Sequence, residues 1–156
     1  MAISSIASGT LTRPADTTAY ASGDIVANST TAGSVVPITL ANVCNGPGQS
    51  AQIRRVRLRT SSTSVTNASF RVHLFTSSPT VSSGDNAAIV IATGAASYIG
   101  QVDVTVGQTF TDGAFGAATT EINLYGTSTV YALLEARGVY TPTSAGTFTV
   151  TVEAVL

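Results

Sequence analysis

The sequence predicts an all-β protein, a jelly roll or β-sandwich in a single domain with an extended N-terminal arm, and three observations support this. No long stretch repeats apolar residues with the 3.6-residue period of a helix. Short runs in which apolar and polar residues alternate recur along the chain instead. Clusters of Gly, Pro, Asn and Ser separate these runs, and such residues form tight turns. Eight or nine short strands with turns between them are typical of a sandwich or barrel.

The elements follow in order. Residues 1–23 are rich in Ser, Thr and Ala and are expected to form the extended arm, with a short strand at 9–13. The sandwich domain then covers residues 24–156. Its strands are expected at residues 24–27, 35–41, 52–59, 69–75, 88–92, 98–106, 119–124, 130–136 and 147–155. The last is the clearest, because Phe148, Val150 and Val152 alternate with polar residues, as in a strand with one face in a core. No helix beyond a single turn is expected.

The composition favours a subunit of an assembly. Charged residues make up 10% of the chain, and seven basic and eight acidic side chains give a net charge of −1. An ordinary soluble domain has about 25% charged residues, so copies of this chain repel one another weakly. All seven basic residues are Arg, which reflects either a GC-rich genome or selection for interfaces, where Arg is favoured. No secretion signal or membrane-spanning stretch is visible, so a soluble protein made in a cytoplasm is expected.

An arginine row is the strongest polar signal. In the strand IRRVRLRT, Val56 and Leu58 point one way and Arg55, Arg57 and Arg59 the other, about 6–7 Å apart. Arg54 breaks the alternation and marks a possible bulge. The row needs an anionic neighbour: carboxylates of nearby strands (Glu121, Asp103, Glu135 or Glu153), an acidic patch on another protein, or nucleic acid. The negative net charge disfavours nucleic acid, and a solvated strand face remains an alternative.

Catalytic and metal-binding motifs are missing from the sequence. The chain has one His and one Cys and no phosphate loop, nucleophile elbow or paired metal-ligand spacing. His73 alternates with apolar residues and is therefore expected on the outer face beside Arg71, in a structural or interface role. Cys44 is expected to be a small buried hydrophobic residue. The sequence thus predicts no enzyme, no cofactor and no metal.

The loop after the His73 strand, SSPTVSSGDNAA, is expected to meet a partner molecule. Ser, Pro and Gly residues make it a turn-rich surface segment, and Asp85 and Asn86 lie at its end. The candidate interface therefore comprises Arg55, Arg57, Arg59, Arg71, His73, Asp85 and Asn86.

Several segments together resemble small virion proteins encoded in tailed-bacteriophage genomes. These are TRPADTTAYASGD (residues 12–24), FRVHLFTSSP (70–79), DNA (85–87), YIG (98–100) and LYG (124–126), in this order. The resemblance that they carry extends over most of the chain from residue 10 onward.

The resemblance implies a decoration, or cement, protein of an HK97-like head, several of which are jelly rolls. Its implied partners are the major capsid protein and further copies of itself at local symmetry axes. A trimer is favoured over a dimer because icosahedral shells offer many local three-fold axes. No nucleic acid and no membrane partner is expected; the location is the capsid surface, after synthesis in the bacterial cytoplasm. An alternative is a tail or head–tail adhesin that binds host-surface glycans.

Overall fold

The computed structural model describes residues 4–46 and 48–156. The strands along them are β1 (Ser4–Thr12), β2 (Ile25–Val26), β3 (Ile38–Leu40), β4 (Ser50–Thr60), β5 (Ser69–Phe75), β6 (Thr80–Val81), β7 (Ile91–Thr93), β8 (Tyr98–Thr105), β9 (Gln108–Phe110), β10 (Gly113–Tyr125), β11 (Val130–Ala136) and β12 (Thr147–Val155). One 3₁₀ turn, Ala95–Ser97, precedes β8. The all-β prediction is confirmed, and within these residues no helix exceeds that turn.

Two antiparallel sheets pack as a jelly-roll-like sandwich. The first sheet has the strand order β1-β12-β4-β10-β9, and the second has β2-β11-β5-β8, with β3 also paired to β11. Leu58 and Phe148 of the first sheet and Phe70 and Val72 of the second are fully buried in one core. Because side chains alternate along each strand, burying one side of a sheet leaves its other side facing outward.

The segment between β5 and β8 forms a separate layer over the outer side of the second sheet. It contains the β6–β7 pair, and its Val81 and Ile91 pack with Phe75 and Leu133 in a second, smaller apolar cluster. Part of the second sheet is therefore covered on both sides.

The predicted strand bounds agree best with the observed ones where apolar and polar residues alternate or where the sequence is continuously apolar. β5, β11 and β12 have the predicted bounds. β10 begins six residues before the predicted 119–124 strand, because its first half is rich in Gly and Ala, which are weak strand formers by themselves. Pairing from Ala114↔Thr60 to Ala118↔Val56 holds it extended. β6 and β9 were not predicted, and β7 (residues 91–93) overlaps the strand expected at 88–92 only at residues 91 and 92.

The predicted arm is corrected for residues 4–12, which form a full strand of the first sheet. β1 pairs with β12 from Ser4↔Val155 to Thr12↔Thr147. Ala7 and Leu11 are buried in the core. The Ser- and Thr-rich composition suggested an arm, but an edge strand needs few apolar residues because its backbone is held by one neighbour. Residues 1–3 of the predicted arm lie outside the described residues.

Gly9 allows β1 to reach this position. A Cβ atom at Gly9 would lie 2.5 Å from the Thr39 carbonyl oxygen and 2.5 Å from Ile38 Cγ2. Only glycine therefore lets the segment around β3 close against β1.

Candidate functional site

The outward side of the first sheet, here called the open face, is a broad surface that no described segment of the chain covers. Hydroxyl side chains dominate it, and two of them join neighbouring strands: Ser8 Oγ lies 2.8 Å from Thr151 Oγ1, and Thr10 Oγ1 lies 2.8 Å from Thr149 Oγ1. From the strand registers, its members are Ser4, Ile6, Ser8, Thr10, Thr12, Thr147, Thr149, Thr151, Glu153, Val155, Gln52, Arg55, Arg57, Arg59, Phe115, Ala117, Thr119 and Asn123.

The arginine row lies along the centre of the open face, as its alternation predicted. Val56 and Leu58 are fully buried, whereas Arg55 and Arg59 are exposed. The bulge predicted at Arg54 is also present. Glu153 pairs with Arg55 and Ala154 with Ile53, so Arg54 is the extra residue against β12, and the register with β10 shifts at the same point.

The acidic partners of the row belong to its own sheet. Glu153 Oε1 lies 2.9 Å from Arg57 Nε, and Glu153 Oε2 lies 3.7 Å from Arg55 Nη1. The Arg57 contact is an ion pair without hydrogen-bond geometry, since the buried Nε has no hydrogen-bond acceptor. Asp112, which was not predicted as a partner, lies 2.8 Å from Arg59. The row is therefore largely neutralised within the subunit.

Arg54 and Glu121 form the remaining pair, with Nη1 and Oε1 3.4 Å apart. Of the four predicted acids, Glu121 and Glu153 do lie beside the arginines, whereas Asp103 and Glu135 lie on the second sheet. All of these pairs are at least partly open to water, where an ion pair contributes only about 0–1 kcal/mol.

Arg71 lies on the outer side of the second sheet and pairs with the adjacent strand. Its Nε and Nη2 donate to the two carboxylate oxygens of Asp103 at 2.7 and 3.0 Å. These hydrogen bonds hold the pKa of Asp103 below its usual value. As a candidate interface residue Arg71 is thus already engaged in a bidentate pair within the subunit.

His73 points outward as predicted but is covered, which favours the structural role over the interface role among the two that were predicted. Only 9% of it is exposed. Nε2 lies 2.7 Å from Glu135 Oε2, and Nδ1 lies 3.1 Å from the Tyr98 hydroxyl. Burial raises the pKa of Glu135, but hydrogen bonds from His73 and Arg137 together leave it below its usual value. Neighbours on β8 and β11 cover the ring, which local alternation does not reveal.

Asp85 is also buried, contrary to its prediction as an interface residue. Its side chain is fully enclosed and accepts hydrogen bonds from Arg13 Nη2 at 3.1 Å, the Tyr20 hydroxyl at 2.8 Å and the Ala27 amide at 2.7 Å. Arg13 Nε in turn donates to the Tyr20 oxygen. Burial raises the pKa of the Asp85 carboxyl, and these three donors act in the opposite direction. We call Arg13, Tyr20 and Asp85 the buried cluster.

The loop around the buried cluster is tied to the first half of the domain. Asp85 N donates to the Ser29 carbonyl, and a Cβ atom at Gly84 would lie 2.1 Å from the Thr30 carbonyl oxygen. Asn86, the remaining interface candidate, stays accessible, although its side-chain amide donates to the Thr18 carbonyl. The end of this loop therefore has a structural role. The segment TRPADTTAYA (residues 12–21) and the segment Asp-Asn-Ala (residues 85–87) meet there.

No reactive arrangement forms among the described residues. Cys44 is buried, its thiol donates to the Thr127 carbonyl at 2.7 Å, and burial raises its pKa. Both ring nitrogens of His73 already have partners, and neither partner is Cys44. Residues 4–46 and 48–156 contain no group of three His, Cys, Asp or Glu residues placed to hold a metal ion. That the protein is not an enzyme remains a prediction.

Residues 4–46 and 48–156 contain no helix with the length and apolar character that crossing a bilayer requires.

Comparisons with known proteins give distant structural likenesses only. No family model matches the chain, and no curated protein sequence matches it. Among solved structures, a chain of the acid-stable capsid of Helicobacter pylori bacteriophage KHP30 is similar at 10% identity, with 99% of this chain and 88% of that chain covered and a TM-score of 0.37. A chain of the cyanophage Pam1 capsid is similar at 14% identity, with 99% and 86% covered and a TM-score of 0.36.

FLHE is similar at 13% identity, with 96% of each chain covered and a TM-score of 0.35. All three TM-scores are below 0.5, so these likenesses assign neither a family nor a function to the chain.

Proposed function

We propose that the protein is a structural virion protein of a tailed bacteriophage, a decoration or cement protein that binds the outside of the head and stabilises it. The observation that supports this is the open face, a five-stranded surface of hydroxyl and guanidinium groups with no covering segment in the described chain. The ordered sequence segments that resemble phage virion proteins point in the same direction.

The chemistry of the open face suits a protein lattice better than a small substrate. Ser, Thr and Arg side chains supply many hydrogen-bond donors across a broad sheet, and a standard stable interface needs about 800 Å² on each partner. Because Glu153 and Asp112 offset most of the charge of the arginine row, docking buries no more than one unit of uncompensated positive charge.

Homo-oligomers are part of the proposal. A net charge of −1 gives copies little mutual repulsion. A trimer at the local three-fold axes of the capsid is expected, and light scattering of the purified protein measures its mass directly.

The test is binding to undecorated expanded heads. Co-sedimentation followed by cryo-electron microscopy is expected to show hundreds of copies on the capsid, with the open face against it, and a higher temperature of head disruption. Thr149→Trp, at the centre of the open face, is expected to weaken binding at least about tenfold by steric mismatch, as one lost hot spot would. Gln101→Trp, exposed on the second sheet, is the control. Absence of wild-type binding, or a few copies at the tail alone, would contradict the proposal.

A second candidate function is glycan binding by a tail-borne adhesin, favoured by one observation. Tyr98 is 40% exposed in an open groove of about 380 Å³ beside His73, Phe75 and Ile91. Sugar rings stack on such exposed aromatic faces. If this is the function, Tyr98→Ala abolishes attachment of the protein to host cells and leaves head binding unaffected.

A further inference from the structure

The bulge at Arg54 opens a groove in the open face. The groove has a volume of about 680 Å³ and is lined by Arg54, Arg55, Thr119, Thr120, Glu121 and Glu153. It exists because the extra residue in β4 and the register shift in β10 spread the strands at one point.

The groove lining holds two arginines and two glutamates, but one of these glutamates, Glu153, is shared with Arg57 beside the groove, so the arginines of this cluster outnumber its acids. Arg54, Arg55 and Arg57 share two carboxylates, since Glu121 pairs with Arg54 and Glu153 serves both Arg55 and Arg57. The cluster therefore has one positive charge in excess.

Arg55 and Arg57 both have unused donors, and Arg55 is the more exposed of the two. Its side chain is 44% exposed, and its closest acidic contact, with Glu153, is 3.7 Å long. That is beyond hydrogen-bond distance, and the side chain of Arg55 donates no hydrogen bond to any residue within 4–46 or 48–156. By contrast, Arg54 donates to Gln52 at 2.7 Å and Arg59 to Asp112 at 2.8 Å. The planar guanidinium of Arg55 is thus free to bind a carboxylate through two parallel hydrogen bonds.

We infer that the groove at Arg55 is a carboxylate-binding site for an acidic side chain of a partner protein. Under the proposed function, on which this inference rests, that partner is the capsid protein. The hydroxyls of Thr119 and Thr120 line the same groove and supply further donors for the second carboxylate oxygen.

A single carboxylate fits this groove better than nucleic acid does. Glu121 and Glu153 flank Arg55, and a chain of phosphates would pass close to both. The excess of one positive charge matches one acidic side chain, whereas nucleic-acid binding relies on several basic contacts. Salt is therefore expected to weaken binding only modestly.

The first test compares head binding by wild type and three variants. Arg55→Gln is expected to bind undecorated heads roughly 10- to 100-fold more weakly, since a hydrogen bond to a charged group is lost. Arg55→Lys keeps the positive charge but loses the planar pair of donors of the guanidinium. Its affinity for heads is expected to lie between those of Arg55→Gln and wild type. The control, Arg137→Gln, removes a partly exposed, ion-paired arginine from the second sheet and should bind as wild type does. Wild-type affinity in Arg55→Gln overturns the inference while leaving the proposed function intact.

The second test does not need the capsid. Pentaglutamate peptide is titrated into protein carrying ¹⁵N-labelled arginine, and the Arg55 Nε–H signal is expected to shift and saturate while that of Arg137 stays in place. No shift at Arg55 overturns the inference, as does preferential binding of a single-stranded DNA oligonucleotide at equal salt. If wild type fails to bind heads but the Arg55 signal shifts, the proposed function fails and the carboxylate site stands.

Discussion

At the scale of single residues, the buried cluster accounts for segments that have no evident role in the sequence. Arg13 and Asp85 are 72 positions apart, yet their side chains are both fully enclosed and paired at 3.1 Å. Tyr20 connects them through its hydroxyl. Removing one member of a buried pair leaves an uncompensated charge in a medium of low polarity, which costs far more than the intact pair contributes.

Replacing Asp85 by Asn is therefore expected to lower the free energy of unfolding by about 3 kcal/mol, because the buried Arg13 then keeps only the partly exposed carboxylate of Asp16, 3.3 Å away, as its counter-ion. Asp103→Asn is the matched control: Asp103 is 54% exposed and paired with Arg71, and its loss is expected to cost about 1 kcal/mol or less. Urea unfolding measures both. Equal losses in the two variants would show that the buried cluster has no special role.

A substitution at Tyr140 is expected to raise the free energy of unfolding, in contrast to the substitution at Asp85. It is fully buried with its ring against Phe70 at 5.2 Å, and its hydroxyl has no hydrogen-bond partner in the described protein. Tyr140→Phe removes an unsatisfied polar group while keeping the packing, so a gain of about 1 kcal/mol is expected. Tyr20→Phe, which deletes a hydroxyl bonded to Asp85, should instead destabilise the protein. Thermal unfolding that ranks the two variants the other way round contradicts this account.

At the scale of elements, the composition of β1 predicted an extended arm, whereas the segment forms a strand of the first sheet. Its outward residues are small and polar, but Ala7 and Leu11 enter the core and the backbone closes the edge of β12. An arm that folds only on a neighbour would contribute nothing to the stability of the isolated subunit, whereas a strand with core residues must.

Two substitutions within β1 distinguish these descriptions. Leu11→Ala is expected to cost about 2–4 kcal/mol, because it leaves a cavity beneath the strand. Ile6→Ala, at a side chain that is 63% exposed, should change stability by less than about 0.5 kcal/mol. The measurement is chemical denaturation of the isolated subunit. A negligible effect of Leu11→Ala would show that the segment is a loosely attached arm and not a strand of the core.

At the scale of the whole molecule, ion pairs of the second sheet make stability depend on acid pH. The pKa of Asp103 lies below its usual 3.8 because of the hydrogen bonds from Arg71. That of Glu135 lies below its usual 4.5 because His73 and Arg137 outweigh the effect of burial. A carboxyl with a lowered pKa in the folded state stabilises it above the unfolded pKa, and this contribution is lost as the pH falls through the folded value. Asp85 has a raised pKa, so its contribution to stability changes in the opposite sense and becomes more favourable as the pH falls.

With these signs, the unfolding temperature is expected to fall between about pH 5 and pH 3, since the lowered carboxyls outnumber the raised one. Calorimetry across this range measures the decline. Asp103→Asn removes one of the contributing groups and should give a shallower slope. A flat profile, or one that rises toward pH 3, would mean that Asp85 dominates the acid response.

The sequence by itself determined the features that depend on near neighbours in the chain. Alternation placed β5 and β12, and a continuous apolar run placed β11. Alternation also put Val56 and Leu58 inward and the arginine row outward, and located the bulge at Arg54. These follow because successive strand residues point to opposite faces, a property that is local to each strand.

Only the tertiary structure decided which distant strands became neighbours. It joined the arginine row to Glu153 and Asp112 rather than to Asp103 or Glu135, enclosed Asp85 with Arg13, and covered His73 with Tyr98 and Glu135. The physical reason is that strand pairing and packing between layers bring together residues tens of positions apart, so no local pattern reports which charges meet or which outward face a neighbouring segment covers.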